Sequence, residues 1–127
     1  MDISALNRTE YIVTVPFSDG VTVDIRHISR EELRTLFGKA TRQTFVNHQK
    51  REEFDPGQAD LLLGRAAVVG WDGFTDGDKP FPCTPENTDK LMSSYTAFAR
   101  FVNDTCIDLD ALIMAEKEAE RKNSQGT

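Results

Sequence analysis

The sequence predicts an α+β fold, with an N-terminal β-hairpin packed on a mainly helical domain of about four helices. Apolar and polar residues alternate over residues 9–28, which is the period of a half-buried strand. Over most of residues 29–122 the apolar residues recur three or four positions apart, as in amphipathic helices. Residues 123–127 are expected to form a disordered tail. The length of 127 residues fits a single domain.

The register of the hairpin over residues 9–28 follows from its apolar face. A two-residue turn would mix apolar and polar side chains on both faces, whereas a loop of residues 18–20 keeps the apolar residues together. Gly20 is therefore expected at positive φ. Pro16, which has no N–H to donate, is expected on an edge strand. The predicted cross-strand pairs are Tyr11 with His27, Val13 with Ile25, Val15 with Val23, and Phe17 with Val21.

A capping box predicts the start of the first helix. Ser29 is followed three residues later by Glu32, and each side chain can satisfy a free backbone N–H of the first turn. The helical spacing predicts a helix that continues to about Arg51, with Gly38 as its weak point. The apolar positions of this predicted helix are Leu33, Leu36, Phe37, Ala40, Phe45 and Val46.

Breakers and caps divide the rest of the chain. The Asp-Pro-Gly sequence at residues 55–57 ends one element, and residues 58–70 are predicted to form the most buried helix because apolar groups surround them. Residues 71–84, rich in glycine and proline, are predicted to be a loop. Thr84 is expected to cap the last helical region. The polar residues 93–94 divide that region into a short helix and a longer one.

The charge distribution bears on the class of partner. The net charge is −6, and only residues 26–51 are basic, with seven basic and two acidic groups. An acidic chain with one modest basic segment disfavours nucleic acid as the partner, and the segment is typical of a solvated helix face. No apolar run approaches the roughly 18 residues that a membrane span needs. The sequence therefore predicts neither a nucleic-acid nor a membrane partner.

The sequence predicts a noncatalytic protein without metal or cofactor. An EF-hand loop beginning at Asp72 would place Cys83 where calcium needs a bidentate glutamate, so this segment is interpreted as a surface turn. Neither cysteine lies in a sequence context typical of an activated nucleophile. A metal or cysteine enzyme would require widely separated residues to converge in the fold. These residues are His27, His48, Cys83 and Cys106.

Two short motifs resemble those of a known family. Residues 68–74 read V-V-G-W-D-G-F, similar to a V-x-G-W-x-G-V motif, and residues 83–87 read C-T-P-E-N, similar to F-S-x-E-N. Cys83 stands where phenylalanine is usual. With the order of its elements over residues 10–115, the chain resembles the tail assembly chaperone family of long-tailed bacteriophages and prophages. The motif residues, interpreted as structural, are Gly70, Trp71, Gly73, Thr84, Glu86 and Asn87.

The resemblance implies a function in virion assembly. Such chaperones bind the tape measure protein in the host bacterial cytoplasm before the tail tube polymerises around it, and they are absent from the mature virion. In many phages a longer, frameshifted form recruits tail tube protein. The resemblance thus implies the tape measure protein as partner, with the tail tube protein second, and self-association stays open. The alternatives are a structural virion component, such as a minor tail or head–tail protein, and a metal or cysteine enzyme.

Two candidate contact sites have both a functional and a structural interpretation. Leu109, Leu112 and Ile113 are the candidate partner-binding residues, because apolar side chains on a helix can cover the apolar stripe of a partner helix. The same residues can instead pack on the core of the domain. Trp71 is interpreted as a core anchor at the end of the buried helix, with an exposed partner contact as the alternative.

Overall fold

The computed structural model describes residues 11–125, with side chains described up to residue 122, and it confirms the α+β fold. Four helices and seven strands make up this part of the chain. Their bounds are β1 (Ile12–Ser18), β2 (Val21–Arg26), α1 (Arg30–Lys39), β3 (Thr41–Val46), β4 (Gln49–Phe54), α2 (Pro56–Ala67), β5 (Val68–Asp72), β6 (Thr75–Asp76), β7 (Lys79–Pro80), α3 (Pro85–Ser94) and α4 (Thr96–Gln125).

The N-terminal hairpin is part of a three-stranded antiparallel sheet in the order β1-β2-β5. The predicted pairs Val13–Ile25 and Val15–Val23 are confirmed. The N–H of His27 donates to the Tyr11 carbonyl at 2.6 Å, as the predicted register requires. Residues 9 and 10 of the predicted hairpin lie outside the described residues.

The turn of this hairpin differs in detail from the prediction. Ser18, and not Phe17, lies opposite Val21, and the register shifts between Pro16 and Ser18. A bulge at Phe17 thus combines a short turn with an unmixed apolar face, so the register does not require a three-residue loop. The predicted positive φ of Gly20 is confirmed at 77°, and Pro16 lies on the edge strand β1.

The core lies between this sheet and the helices α2, α3 and α4. The inward side chains of β2 are buried, and α4 contributes a row of buried residues at helical spacing. Burial of these apolar side chains is the main force that holds the sheet on the helices. The largest fully buried side chains are Phe98, Ile25, Ile28, Val23, Val102 and Cys106.

The prediction of a helix continuing to Arg51 is wrong, because α1 ends at Lys39 and a second hairpin follows. Its strands β3 and β4 pair antiparallel through a two-residue turn. Asn47 and His48 form that turn with φ values of 53° and 63°, the left-handed conformation that a type I′ turn requires. The helical spacing of Phe45 and Val46 was therefore coincidental.

The predicted helix at residues 58–70 is also corrected at its ends. Helix α2 covers Pro56–Ala67, and Val68 and Val69 begin β5. Pairing with β2 favours the β-branched side chains in a strand over a further helical turn. The predicted loop at residues 71–84 includes the end of β5 and the small β6–β7 hairpin, so the region 29–122 is not wholly helical.

The C-terminal helical region divides as expected, with α3 and α4 meeting at Tyr95. The Thr84 hydroxyl caps α3 by accepting from the Asn87 N–H at 3.1 Å. Helix α4 extends through Gln125, farther than the expected start of a disordered tail at residue 123. Residues 126 and 127 of that expected tail lie outside the described residues.

Candidate functional site

An open cleft of about 660 Å³, here called the aromatic cleft, lies between the β6–β7 hairpin and the junction of α3 with α4. Its surface is mainly apolar, and five of its ten lining residues are phenylalanine, leucine, tyrosine or alanine. Such apolar concave surfaces are the usual binding places for apolar groups of ligands or partners. The lining residues are Phe74, Thr75, Asp76, Phe81, Lys90, Leu91, Ser94, Tyr95, Thr96 and Ala97.

Trp71 supports one wall of the aromatic cleft through its contacts with Phe81, although Trp71 does not line the cleft itself. Its indole Nε1 donates to the Phe81 carbonyl at 2.7 Å, and its ring stacks on the Phe81 ring at a centroid distance of 5.8 Å. The Trp71 ring also meets Phe98, the largest fully buried side chain, edge to face at 6.1 Å. Trp71 is half-buried and packs against the core, so it links the cleft wall to the interior of the domain.

The junction of the two C-terminal helices forms the opposite wall. The Tyr95 N–H donates to the Leu91 carbonyl at 2.9 Å and ends α3, and the chain then turns into the first residues of α4. The Tyr95 ring meets Phe17 edge to face at 5.7 Å. One wall packs through Trp71 on the buried Phe98 ring, and the other packs through Tyr95 on the half-buried Phe17 ring, so both walls of the cleft are held by contacts with the rest of the domain.

Two of the residues that line the cleft, Lys90 and Asp76, are charged. The ammonium group of Lys90 lies 6.0 Å from the centre of the Phe81 ring, and the Asp76 carboxylate lies on the β6–β7 side. The aromatic face attracts the cation and so holds the Lys90 ammonium near the Phe81 ring. An apolar side chain of a partner can therefore enter the cleft, while Lys90 and Asp76 contact polar groups that flank that side chain.

The motif residues support this site without lining it. Gly73 has φ of 99°, and a Cβ there would overlap the Gly20 carbonyl oxygen, so glycine allows β5 to end against the turn of the first hairpin. A Cβ on Gly70 would lie 2.8 Å from Asp24 Oδ2. The Asn87 side-chain amide donates to the Pro82 carbonyl at 2.9 Å and ties α3 to the preceding loop. Glu86 lies in the first turn of α3, where a negative charge stabilises the helix.

The three candidate partner-binding residues do not share one exposed face. Leu109 and Ile113 are 5% and 8% exposed, whereas Leu112 is 52% exposed. Polar substitution of the first two would remove buried apolar contacts, so it would not test binding alone. Ile107 and Met114 are exposed on the outer side of α4, seven residues apart and thus two helical turns.

The four candidate reactive side chains lie in separate environments. His48 is exposed at the tip of the β3–β4 hairpin. Cys106 is fully buried, and burial raises its pKa to about 11. Burial also raises the pKa of Cys83, whose Sγ lies 3.7 Å from the Thr88 hydroxyl. A raised thiol pKa lowers the fraction of nucleophilic thiolate. Within residues 11–122, no three His, Cys, Asp or Glu side chains are grouped closely enough to hold a metal ion.

His27 has a structural partner across the domain. Its Nε2 lies 2.8 Å from Asp110 Oδ1, and both side chains are largely buried. The guanidinium of Arg30 approaches the same carboxylate at 3.8 Å. This group joins the end of β2 to α4, so its contacts account for His27 as a tertiary link between the sheet and a helix.

Comparison of the chain with models of known protein families, with curated proteins and with solved structures finds no match. Over the described residues 11–125, no helix combines the length and the apolar character needed to cross a bilayer.

The sequence did not predict the aromatic cleft, because residues 71–84 were expected to be a loop and one wall depends on the β6–β7 hairpin that forms within them. The sequence did show Trp71 between two glycines and a segment rich in aromatic residues after it. Gly77, with φ of 62°, turns that segment back so that Phe81 reaches Trp71. The sequence signal for this return was the pair Gly77-Asp78 between short extended segments, which is typical of a hairpin turn.

Proposed function

We propose that this protein is a noncatalytic phage tail assembly chaperone that binds the tape measure protein and assists tail tube assembly in the host bacterial cytoplasm. One structural observation supports this proposal, the accessible aromatic cleft of about 660 Å³. The motifs at residues 68–74 and 83–87 supply the resemblance to the chaperone family, and Phe74, the last residue of the first motif, lines the cleft.

The physical role of the cleft follows from what a tape measure protein exposes. As the resemblance implies, this partner is a long helix whose apolar stripe is uncovered until the tube surrounds it, and uncovered apolar surface promotes aggregation. A helix can insert one large apolar side chain into a cleft while its neighbouring turns contact the rim. Lys90 and Asp76 then orient the helix, and burial against Phe74 and Phe81 supplies most of the affinity.

Coexpression with the tape measure protein of the same phage or prophage tests the proposal. Expressed alone, the tape measure protein should aggregate, and with this chaperone it should remain soluble and copurify as a complex. Since apolar burial dominates, the complex should survive moderate salt, whereas a mainly electrostatic complex would dissociate.

A double variant, Thr96→Glu with Ala97→Glu, tests the cleft. Both residues are exposed and line it, and acidic residues are favourable in the first turn of a helix, so the fold should persist. Two charges in an apolar cleft should abolish copurification. The matched control, Gln58→Glu with Ala119→Glu, adds the same charge at exposed helical positions outside the cleft and should bind normally.

Two results would contradict the proposal. If the wild-type protein neither solubilises nor copurifies with the tape measure protein, the chaperone function is wrong. If the protein is a stoichiometric component of purified particles, it is a structural virion component such as a minor tail or head–tail protein.

A further inference from the structure

The β3–β4 hairpin has a free edge along β4. Within the described residues its sheet has only these two strands, so no strand pairs with the outer side of β4. In a hairpin with a two-residue turn, the pair flanking the turn, Val46 and Gln49, exchanges both backbone hydrogen bonds. The alternation continues to the Asp55 N–H, which donates to the Ala40 carbonyl at 2.9 Å. The backbone groups of residues 50, 52 and 54 therefore point away from β3.

The charges along β4 are ordered by sign. Lys50 and Arg51 come first and Glu52 and Glu53 follow, and all four side chains are exposed. None of the four has an opposite charge within ion-pair distance among the described residues. Charged edge strands usually discourage pairing with other chains. Here the order of charges discourages most partners but complements an identical strand that runs in the opposite direction.

The two symmetric antiparallel alignments can be compared directly. In the first alignment Arg51 lies opposite its own copy, and the pair of Lys50 with the partner's Glu52 occurs twice because of the two-fold symmetry. With Glu52 opposite its own copy, Arg51 lies opposite the partner's Glu53 twice. Each alignment thus contains two opposite-charge pairs and one like-charge pair, whereas parallel pairing in register places every charge beside its own sign.

We propose that two copies of this chain form a symmetric dimer by antiparallel pairing of their β4 strands, which gives a four-stranded sheet. The pairing satisfies the outward backbone groups and is self-complementary, as a two-fold interface must be. It extends a two-stranded hairpin, which is marginally stable by itself. The inference is independent of the proposed function, because it does not involve the aromatic cleft.

A charge-swap experiment on the full chain tests the dimer. One variant carries Lys50→Glu with Arg51→Glu, and the other carries Glu52→Lys with Glu53→Lys. Each variant alone places only like charges across the interface, so sedimentation velocity should show loss of the dimer. Mixing the two variants makes every directly opposed pair complementary, including the central one, so the mixture should form a dimer more tightly than the wild type.

A control variant and the dependence on salt complete the test of the dimer. Arg100→Glu with Asp104→Lys changes exposed charges on α4 and should leave the wild-type dimer intact, and circular dichroism should show that all variants fold. Added salt should weaken both the wild-type and the mixed dimer. A wild-type protein that stays monomeric at all accessible concentrations would overturn the proposal. So would a dimer that persists in either charge variant, or a mixture of folded variants that remains monomeric.

Discussion

The β1–β2 and β3–β4 hairpins are similar in length but opposite in environment. Val23 and Ile25 of the first are fully buried, because the helices cover its inner face and β5 pairs with the edge of β2. In the second, Phe45 is 75% exposed, and the main apolar contact is that of Phe54 with Phe37 at the end of α1, at 5.9 Å between ring centroids. The first hairpin therefore contributes to the stability of the domain. The second is held by its own turn and ladder, so its side chains are available for contacts with other molecules.

The largest expected effect is at the buried face of the first hairpin. Ile25→Ala removes a fully buried side chain and should lower the free energy of unfolding by about 2–5 kcal/mol. Ile12→Ala on the outer face of the same hairpin is the matched control, because that side chain is 48% exposed and should cost far less. Denaturant unfolding measures both. Equal losses for the two variants would contradict the assignment of the inner face.

A smaller effect is expected where β5 meets the turn of the first hairpin. Gly73→Ala must place a Cβ at φ of 99° and against the backbone of Gly20, so it should destabilise the domain by about 2–3 kcal/mol. Gly77→Ala is the control, with a positive φ of 62° but open space around its Cβ, and should cost about 1 kcal/mol. Thermal melts of the two variants distinguish steric overlap from backbone strain alone. Identical shifts in melting temperature for the two variants would show that the close approach of residue 73 to Gly20 does not affect stability.

The contrast between the hairpins also explains what the sequence predicted. The first hairpin was predictable because one buried face imposes strict alternation, and its main register was confirmed at Val13 and Val15. The β3–β4 hairpin buries no face, so no alternation marks it, and Phe45 and Val46 happened to continue a helical spacing. The informative signal there was Asn47, a residue that tolerates the left-handed conformation of the turn.

The candidate site depended on tertiary contacts that local patterns do not encode. Thr84 and its cap were predictable, since capping is a contact between near neighbours in sequence. The stacking of Trp71 on Phe81 and the wall formed by Tyr95 depend on how β5, the β6–β7 hairpin and α4 converge. Helical spacing likewise placed Leu109 and Leu112 on one predicted surface, but it could not decide which side of α4 faces the core.

The smallest expected effect is at the exposed face of the second hairpin. Phe45→Thr keeps a residue that favours strands and removes an aromatic ring that is mostly in water, so the free energy of unfolding should change by less than about 0.5 kcal/mol. The measurement belongs at low protein concentration and high salt, where the proposed β4 dimer is dissociated. Hydrogen exchange in the same sample should show faster exchange in β3 and β4 than in β2, because the second hairpin can open without exposing the core. A loss above about 1 kcal/mol, or equal protection of the two hairpins, would show that β3–β4 is part of the cooperative core, and the contrast between the hairpins would then be wrong.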